Sequence, residues 1–465
     1  MAHLYLSATH KSSGKTTVSI GLCRALGSRG QKVQPFKKGP DFIDPLWLGQ
    51  AAGCPCFNLD YNTMSGEAIR DSFARESAGC DLALIEGNVG LYDSTDLAGT
   101  ETNAELAKLL GAPVLLVLDC AGMSRGIAPL LLGYRDFDPE VWIAGVVLNK
   151  VGGSRHGANL RRAVEHYTDL PVIGLVERDP ALAIAERHLG LMPSNETAEA
   201  EALVARIAAL VAEQVDLDAI EALAGQVQSI TPPLASPTGP PSERATGEPV
   251  RIGLARDSAF GFYYPDDLRA FVHGGAELVE FSPVHDAEPP AVDGLFLGGG
   301  FPECRMAELE ANRNMREAIA DFVARGGPVY AECGGLMYLC RELHWGGQRR
   351  AMVGALNAEV EMRPRPQGRG YVRLRETDQF PWPDPQGVGN RASRDVRAHE
   401  FHHSAVMAPD PAWRYAYQVV RGTGIDGRHD GVVQGNLLAC YSHLRDINTG
   451  WVERFLAQVR RWRAH

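Results

Sequence analysis

Short runs of apolar residues alternate with segments of helical periodicity along the first half of the chain. Four such runs, rich in aliphatic side chains, occupy residues 4–8, 82–86, 114–119 and 143–149. A strand buried on both faces of a parallel sheet has this nearly continuous apolar pattern, because helices cover both faces. Residues 172–175 indicate a further strand, and residues 196–224 a closing helical segment. The first half is therefore predicted to be a parallel α/β domain.

The same rhythm restarts after a break in composition. Residues 231–249 are dense in Pro, Ser and Gly and hold too few apolar side chains to pack a core. Beyond them, strands are predicted at residues 250–255, 294–297 and 328–331, and helices at 306–325 and 450–463. The predicted fold class is α/β with two doubly wound domains, at residues 1–228 and 250–465, joined by a linker at 229–249.

Composition and charge narrow the class of protein. A chain of 465 residues with 45% hydrophobic and 22% charged residues is typical of a globular protein with two domains. The formal net charge of −11 argues against nucleic acid as a partner, since phosphate backbones are bound by clustered Lys and Arg. The sequence has no apolar run long enough for a membrane span, and its nine cysteines are an odd, scattered set. We therefore expect a cytoplasmic protein with reduced thiols that binds no membrane.

A phosphate-binding loop is predicted directly after the first strand. The segment THKSSGKTT, residues 9–17, lies between that strand and an apolar helix. This context lets backbone N–H groups and a helix N-terminus hold phosphate, while the Lys reaches the outer phosphates and the Thr after it binds Mg²⁺. Thr9 stands where the usual motif has its first glycine. The predicted ATP-binding residues are Ser12, Ser13, Gly14, Lys15, Thr16 and Thr17, with Asn149, at the end of a later strand, as a weaker candidate for the adenine edge.

Two further segments carry charges suited to the same site. Residues 36–45, FKKGPDFIDP, hold two lysines that can neutralise phosphate or substrate carboxylates, Lys37 and Lys38, and two aspartates. Asp41, together with Thr16, is a predicted Mg²⁺ ligand. Glu86 ends a buried strand, which is where a metal-binding acid should lie beside a phosphate loop. Any single one of these acids could instead be an ordinary solvated charge.

The second half contains a candidate nucleophile. Cys333 follows an apolar strand and precedes Gly334, Gly335 and a helical pattern. A sharp turn from strand to helix exposes such a side chain, and a helix N-terminus favours the reactive thiolate. The glycine run that includes Gly299 and Gly300 follows another strand, and with Gly334 it is suited to offer backbone N–H groups as an oxyanion hole.

Histidines supply candidates for the base. His443 follows an apolar strand more than a hundred residues after Cys333, a spacing expected when the two meet only in the fold. The alternative for Cys333 is a buried structural thiol. The segment HEFHHS, residues 399–404, is predicted to be a loop facing the substrate rather than a metal site, since no further ligands complete such a site.

Together the two halves resemble the cobyrinic acid a,c-diamide synthase family. The resemblance covers nearly the whole chain, and the motifs that carry it are SSGKTT at 12–17, QPFKKGPDFIDP at 34–45, NLD at 58–60, EGNVGLYD at 86–93, GGGFPE at 298–303, AECGGLMYL at 331–339 and HEFHHS at 399–404. It implies an N-terminal P-loop NTPase-like domain of the dethiobiotin-synthetase type and a C-terminal class I glutamine amidotransferase domain. In such enzymes ATP phosphorylates a tetrapyrrole carboxylate, and ammonia from glutamine displaces the phosphate.

The resemblance also implies roles for individual residues. Cys333 would be the glutaminase nucleophile and His443 its base. Lys15, Thr16, Asp41 and Glu86 would serve ATP and Mg²⁺, while Lys37, Lys38, Asp44 and Asp93 would lie near the tetrapyrrole carboxylate. A conventional class I site has a carboxylate two residues after the histidine, but position 445 is Arg and Asp446 is one place further on. The third member of the site therefore stays open.

The substrate and the assembly stay open as well. Cobyrinate is the first candidate, and sirohaem or nickel sirohydrochlorin is the alternative within the same family. A homodimer is compatible with the sequence. A rival from a different class is a P-loop switch ATPase that acts through a protein partner, but such a protein has no use for Cys333, His443 or the glycine run. A tetrapyrrole carrier without enzymatic activity is a third reading.

Overall fold

The structure is a computed structural model that describes residues 1–94, 96–187, 190–227, 249–382 and 395–464. The chain divides into two compact units, Met1–Leu234 and Ala235–His465. The linker predicted at 229–249 lies, apart from its last residue, outside the described residues.

A parallel sheet with helices on both faces forms the first unit. Its strands are β1 (Ala2–Ala8), β2 (Val33–Lys38), β3 (Phe57–Leu59), β4 (Leu82–Glu86), β5 (Val114–Asp119), β6 (Ile143–Val151) and β7 (Val172–Glu177), followed by a short pair, β8 (Glu186–Arg187) and β9 (Gly190–Leu191). Its helices are α1 (Lys15–Ser28), α2 (Ile43–Ala52), α3 (Gly66–Glu76), α4 (Asn103–Leu110), α5 (Ile127–Phe137), α6 (Ser154–Tyr167), α7 (Ala200–Gln214) and α8 (Leu217–Ala224).

The strand order places the phosphate loop near the middle of this sheet. The seven strands run β3-β2-β4-β1-β5-β6-β7, and all neighbouring pairs are parallel. Successive side chains of β1 enter different cores: Leu4 and Leu6 pack on one face of the sheet, and Tyr5 packs on the other. The prediction of a doubly wound domain is confirmed, and β1, β2 and β4 all direct their carboxyl ends to one edge.

The second unit combines a parallel half-sheet with an antiparallel extension. Its strands are β10 (Val250–Ala255), β11 (Phe260–Phe262), β12 (Ala276–Phe281), β13 (Gly294–Leu297), β14 (Gly299–Gly300), β15 (Val329–Glu332), β16 (Cys340–Trp345), β17 (Gln348–Ala351), β18 (Leu356–Met362), β19 (Gly368–Glu376), β20 (Asp395–His402), β21 (Ser404–Met407), β22 (Arg414–Arg421), β23 (His429–Gln434) and β24 (Leu437–Cys440). Its helices are α9 (Pro265–His273), α10 (Met306–Ala311), α11 (Arg313–Ala324), α12 (Gly334–Leu339), α13 (Asp446–Thr449) and α14 (Trp451–Arg463).

The main sheet of this unit has nine strands in the order β12-β10-β13-β15-β24-β23-β22-β19-β20. The first five are parallel, and from β24 onward the neighbours are antiparallel. A four-stranded sheet, β17-β16-β18-β21, and the pair β11-β14 complete the unit. The parallel half confirms the predicted α/β class, whereas the antiparallel strands were not among the predicted elements.

Two predicted helices are each divided in the structure. The segment 196–224 forms α7 and α8, because Asp216 caps α8 with its side chain accepting from the N–H of Ala219. The segment 306–325 forms α10 and α11, with Asn312 between them in a non-helical conformation. Within the residues described, no helix combines the length and the apolar character that crossing a membrane requires.

Close packing of α1 on α7 gives a test of this architecture. A Cβ atom on Gly21 would lie 2.3 Å from Cγ2 of Val211, so Gly21→Ala should lower the free energy of unfolding by about 1–3 kcal/mol through overpacking. Gly27, in the same helix, would meet no atom within 4 Å of an added Cβ, so Gly27→Ala should be neutral or stabilising by up to about 1 kcal/mol. Calorimetric unfolding of both variants checks this. If Gly21→Ala/Val211→Ala is not less destabilised than the sum of the single changes, the predicted contact is wrong.

Candidate active site

The phosphate loop is held from outside by side chains that bind its carbonyl groups. The Asn149 amide donates to the carbonyl of Ser13 at 2.8 Å, and the Lys150 ammonium donates to that of Ser12 at 2.8 Å. In a trans peptide the C=O and the following N–H point in opposite directions. These two bonds therefore turn the N–H groups of Ser13 and Gly14 to the inner side of the loop, where they can receive an anion.

Gly14 is required at the start of α1 by its conformation and its surroundings. Its φ is 90°, which disfavours any side chain, and a Cβ atom would lie 2.0 Å from Nδ2 of Asn149. Asn149 thus contacts the loop backbone through its amide nitrogen. Its predicted role at the adenine edge stays a prediction.

Lys15 begins α1 and is only 5% exposed. Burial, reinforced by the nearby Lys37 ammonium, lowers the pKa of Lys15 to about 8, although Glu86, Asp44 and Asp93 oppose the shift. A lysine in this state gains its full charge when an anion binds beside it, so it is suited to bind phosphate.

A buried cluster of charges lies at the carboxyl ends of β2 and β4. The Lys37 ammonium bonds Asp44 Oδ2 at 2.5 Å and Glu86 Oε1 at 2.6 Å, and it lies 3.8 Å from Asp41 Oδ2. Thr16 donates to the same Glu86 oxygen at 3.1 Å. The structure thus brings together residues of the predicted ATP, metal and substrate sets in one cluster.

The pKa values in this cluster follow burial and the single ammonium. Burial, with the negative charge of Asp44, raises the pKa of Asp41 to about 7. Burial alone would also raise the pKa of Asp44, but the direct contact with Lys37 outweighs it and the pKa is lowered. The pKa of Glu86 is raised by its complete burial despite the same ammonium. Asp41 and Glu86 are therefore harder to ionise than Asp44, and a bound divalent cation would offset this cost.

Oxygen donors suited to Mg²⁺ are present here. Glu86 Oε2 is buried and accepts no hydrogen bond from any described residue, while the Thr16 hydroxyl lies against Oε1 of the same carboxylate. Mg²⁺ prefers hard oxygen ligands and usually binds one or two carboxylates beside phosphates. The residues present therefore fit such an ion.

The other two predicted substrate residues differ in their settings. Lys38, at the end of β2, is 5% exposed, and burial lowers its pKa although Asp60 and Glu101 oppose the shift. Asp93 is exposed, and its Oδ2 accepts a hydrogen bond from the N–H of Gly90 at 2.9 Å. Asp93 thus closes a turn in the loop after β4, while Lys38 lies within the protein.

In the second unit the nucleophile candidate occupies a strained turn. Cys333 joins β15 to α12 with φ 47° and ψ −101°, a conformation that a residue with a side chain rarely adopts. Close contacts hold the turn, because a Cβ atom on Gly335 would lie 2.1 Å from the carbonyl oxygen of Leu297. The predicted strand-to-helix elbow is present.

The adjacent parallel strand brings His443 to the same edge. β15 and β24 pair in parallel with Glu332 opposite Cys440, and the N–H of Cys333 donates to the carbonyl of Cys440 at 2.8 Å. Both oxygens of buried Asp430 then accept from the backbone, at 3.0 Å from Tyr441 and 2.9 Å from Ser442. This fixes the segment that leads to His443.

A carboxylate that sequence reasoning missed contacts His443. Oε2 of Glu332 lies 3.2 Å from Nδ1 of His443, and Oε1 accepts from the hydroxyl of Tyr330 at 2.5 Å and the N–H of Leu444 at 2.9 Å. Arg445, at the conventional position of the third member, is buried and bonds Asp266 at 2.9 Å. An acid at the end of a buried strand was the signal that identified Glu86, and applied to β15 it would have found Glu332.

The glycines of the predicted oxyanion hole lie close to the nucleophile turn. A Cβ atom on Gly334 would lie 3.0 Å from the backbone nitrogen of Gly300, and one on Gly299 would lie 2.6 Å from Cε1 of His443. The N–H of Gly298, in the same run, is already bonded to the hydroxyl of Tyr263 at 3.0 Å. Glycine is thus needed at these positions for the backbone to approach both Cys333 and His443.

The thiol of Cys333 does not rest as a thiolate. Burial raises its pKa, the carboxylates of Glu303 and Glu332 raise it further, and the Gly334 N–H opposes them only in part. The N–H at the start of α12 favours the thiolate, but burial and the two carboxylates outweigh it. A base must therefore take the proton.

The segment HEFHHS is not the loop that the sequence suggested but a strand for most of its length, and its predicted place facing the substrate stays a prediction. Residues 399–402 belong to β20, and His399, His402 and His403 are buried. His399 stacks on His443 with ring centroids 4.9 Å apart and accepts from or donates to the Tyr264 hydroxyl at 3.1 Å. His402 stacks on Tyr441 at 3.8 Å. The histidines pack around the Cys333 and His443 region because β20 returns to that edge.

Family models match both units. Residues 6–191 match the CobQ/CobB/MinD/ParA nucleotide binding domain, and residues 251–449 match the CobB/CobQ-like glutamine amidotransferase domain. The first unit carries the phosphate loop and the second the cysteine and histidine, so each match agrees with the geometry. The chain is a glutamine-dependent amidoligase that uses ATP.

Full-length relatives agree on a narrower family. Three proteins named cobyrinate a,c-diamide synthase are similar to the chain: that of Magnetococcus marinus is 44% identical over 99% of this chain and 97% of its own, that of Syntrophotalea carbinolica 42% over 95% and 94%, and that of Methanosarcina acetivorans 40% over 95% and 92%. The chain belongs to the cobyrinate a,c-diamide synthase family. The resemblance found in the sequence is confirmed.

The lowered pKa of Lys15 gives a test of the phosphate loop. Below a pH of about 8 the side chain of Lys15 is protonated before ATP binds. Above that pH, Lys15 must take up a proton from solution when ATP binds, so the affinity for ATP should fall as the pH rises. Calorimetry at about one unit above that pKa, without Mg²⁺ and in buffers of different ionisation enthalpy, should show proton uptake. Uptake should vanish in Lys15→Arg, whose guanidinium stays charged. Binding by the unmodified protein without proton uptake would contradict the assignment.

Proposed function

We propose that the chain amidates acetate side-chain carboxylates of a sirohydrochlorin-derived tetrapyrrole, using ATP with Mg²⁺ and L-glutamine, as a cobyrinate a,c-diamide synthase. The observation that carries the proposal is the pairing of a phosphate loop and a cysteine elbow in one chain whose full-length relatives bear that name. Cobyrinate is the first substrate candidate, and sirohaem or nickel sirohydrochlorin is the alternative.

The first unit activates the carboxylate. A carboxylate resists attack by ammonia, so its oxygen first attacks the γ-phosphorus of ATP, ADP leaves, and an acyl phosphate forms. Lys15 and the inward N–H groups of Ser13 and Gly14 hold the phosphates, with Ser12, Thr17 and Asn149 completing the loop and its start. Mg²⁺, held by Thr16, Asp41 and Glu86, would neutralise charge on the transferred phosphoryl group.

The proposed substrate site of this unit consists of Lys37, Lys38, Asp44 and Asp93. Lys37 already neutralises Asp44 and Glu86, and Lys38 is buried in the adjoining position of β2 with a lowered pKa. An incoming carboxylate restores a favourable environment for the Lys38 ammonium. Asp44 and Asp93 then limit which arm of the tetrapyrrole can approach. Ammonia attacks the acyl carbon, and phosphate leaves.

The second unit supplies the ammonia. His443 takes the proton of Cys333, whose sulfur attacks the amide carbon of glutamine. The N–H groups of Gly300 and Gly334, with Gly299 allowing His443 to approach, stabilise the oxyanion. The amide nitrogen leaves as ammonia after it accepts the proton, and water then hydrolyses the thioester to glutamate.

Separate nitrogen sources test the division of labour. Cys333→Ala should abolish glutamine-dependent amidation and leave amidation with ammonium chloride largely intact, because only glutamine hydrolysis needs the thiol. Lys15→Ala should lose both activities, since the acyl phosphate precedes either route. ADP release and amide formation measured with each nitrogen source check both variants. If Cys333→Ala also loses the ammonium-dependent activity, the two units do not have the proposed roles.

The substrate is tested by the mass and position of the product. The enzyme is incubated with ATP, glutamine and, in turn, cobyrinate, sirohaem or nickel sirohydrochlorin. Mass spectrometry should show one or two carboxylate-to-amide changes, and fragmentation should locate them on acetate arms, since selectivity among carboxylates of equal reactivity comes from positioning. Amidation of propionates alone, or no change with any of the three, would refute the substrate class even with active ATPase and glutaminase sites.

A further inference from the structure

We propose that Glu332, the residue directly before the nucleophile, is the carboxylate of the glutaminase site and sets the tautomer of His443. The inference rests on the proposed role of Cys333 and His443 and adds a positioning residue to it. Glu332 acts through the histidine and does not itself need to contact glutamine.

The geometry at the ring of His443 decides which ring nitrogen carries the proton. Oε2 of Glu332 lies 3.2 Å from Nδ1 of His443, and both side chains are 3% exposed. A carboxylate accepts and cannot donate, so the contact requires a proton on Nδ1. Nε2 is then the basic nitrogen, which is the arrangement that a histidine needs to take a proton from a nucleophile.

Hydrogen bonds fix the orientation of the Glu332 carboxylate. Its other oxygen, Oε1, accepts from the N–H of Leu444 at 2.9 Å, which can only donate, and from the Tyr330 hydroxyl at 2.5 Å. Leu444 is adjacent to His443, so the carboxylate holds both the ring and the backbone of the base. Both oxygens of this buried carboxylate thus have hydrogen-bond partners.

Position 445, where a conventional class I site has its carboxylate, cannot supply that group here. Arg445 is 1% exposed, donates to Asp266 Oδ2 at 2.9 Å and lies over the Tyr264 ring at 4.9 Å from its centroid. A cation in that place cannot accept a proton from Nδ1 of His443. The carboxylate therefore comes from the neighbouring strand β15.

Several groups surround the histidine and set its protonation. They are Glu332 and Tyr330 on β15, His399 on β20, Tyr264 before α9, and Arg445 two residues further on. Burial lowers the pKa of His399, with His443 and Arg445 adding to the shift, so His399 is neutral. Glu332 is thus the negative group in contact with His443, and it stabilises the imidazolium that forms during catalysis.

Glu332→Gln provides a sharp test because the surroundings dictate the orientation of the new amide. The N–H of Leu444, which can only donate, will hold the amide oxygen, and this turns the NH₂ group to Nδ1 of His443. The proton then moves to Nε2, and the base is lost. The glutaminase kcat/KM should fall by about 10²–10³-fold, mainly in kcat.

The pH profile separates this role from a purely structural one. Without the carboxylate the imidazolium loses its stabilising partner, so the acid limb of kcat/KM should move to lower pH. Glu332→Asp should recover part of the rate, and Tyr330→Phe, which keeps the carboxylate but removes one anchor, should cost less, about 10-fold. Alkylation of Cys333 by iodoacetamide should slow in the order of the glutaminase rates.

Glu376→Gln is the matched control. Glu376 is a buried carboxylate of the same unit, paired with Arg454 at 2.7 and 2.9 Å on a different part of the sheet. Its loss should lower thermal stability and leave the pH profile in place. Ammonium-dependent amidation should persist in every variant, which shows that the first unit is intact, while thermal unfolding of each variant checks the fold of the second unit.

The outcomes distinguish this inference from the proposed function. If Cys333→Ala abolishes glutamine use but Glu332→Gln retains kcat/KM within about 3-fold and an unmoved acid limb, Glu332 has no such role. A fall in Glu332→Gln that matches Glu376→Gln, with no shift of the limb and no recovery in Glu332→Asp, overturns it as well. Continued glutamine use by Cys333→Ala would instead overturn the proposed function.

Discussion

A carboxylate removed from water needs hydrogen-bond donors or cations around it, and the candidate site of each unit contains such a carboxylate. In the first unit Glu86, at 0% exposure, is bonded by Lys37 and Thr16. In the second, Glu332 is bonded by Tyr330, Leu444 and His443. Each acid ends a central parallel strand, and neighbouring strand ends supply some of its partners: Lys37 comes from β2, and His443 and Leu444 follow β24.

That constraint explains why the charged residues of the first unit act together. Lys37 cannot leave Glu86 and Asp44 without exposing two buried negative charges, and Asp41 cannot ionise easily while Asp44 is beside it. A divalent cation bound at Glu86 would stabilise this carboxylate in place of the Lys37 ammonium. The proposed metal residues Asp41 and Glu86 and the proposed substrate residue Asp44 are therefore linked through one lysine.

Sequence patterns were sufficient where the determining contacts are local. The strands β4, β5, β10 and β13 have the predicted bounds, and the phosphate loop and the cysteine elbow lie at the strand-to-helix turns that their glycines indicated. The strands β16 to β23 were not predicted, because buried and exposed residues do not alternate strictly along strands such as β16 and β22, which weakens the period-2 signal of a half-buried strand. The segment HEFHHS was misassigned for the same reason.

The third member of the candidate glutaminase site could not be predicted from the sequence, because Glu332 and His443 are distant along the chain and meet only in the fold. Conventional sites place the third group on the same strand as the histidine, so the sequence directed attention to the position two residues beyond His443. The requirement is an acceptor at Nδ1, and parallel pairing of β15 with β24 meets it from the residue before Cys333. The proposed nucleophile and the proposed carboxylate then share one strand end, so the strained turn at Cys333 lies directly beside the acid that contacts the proposed base.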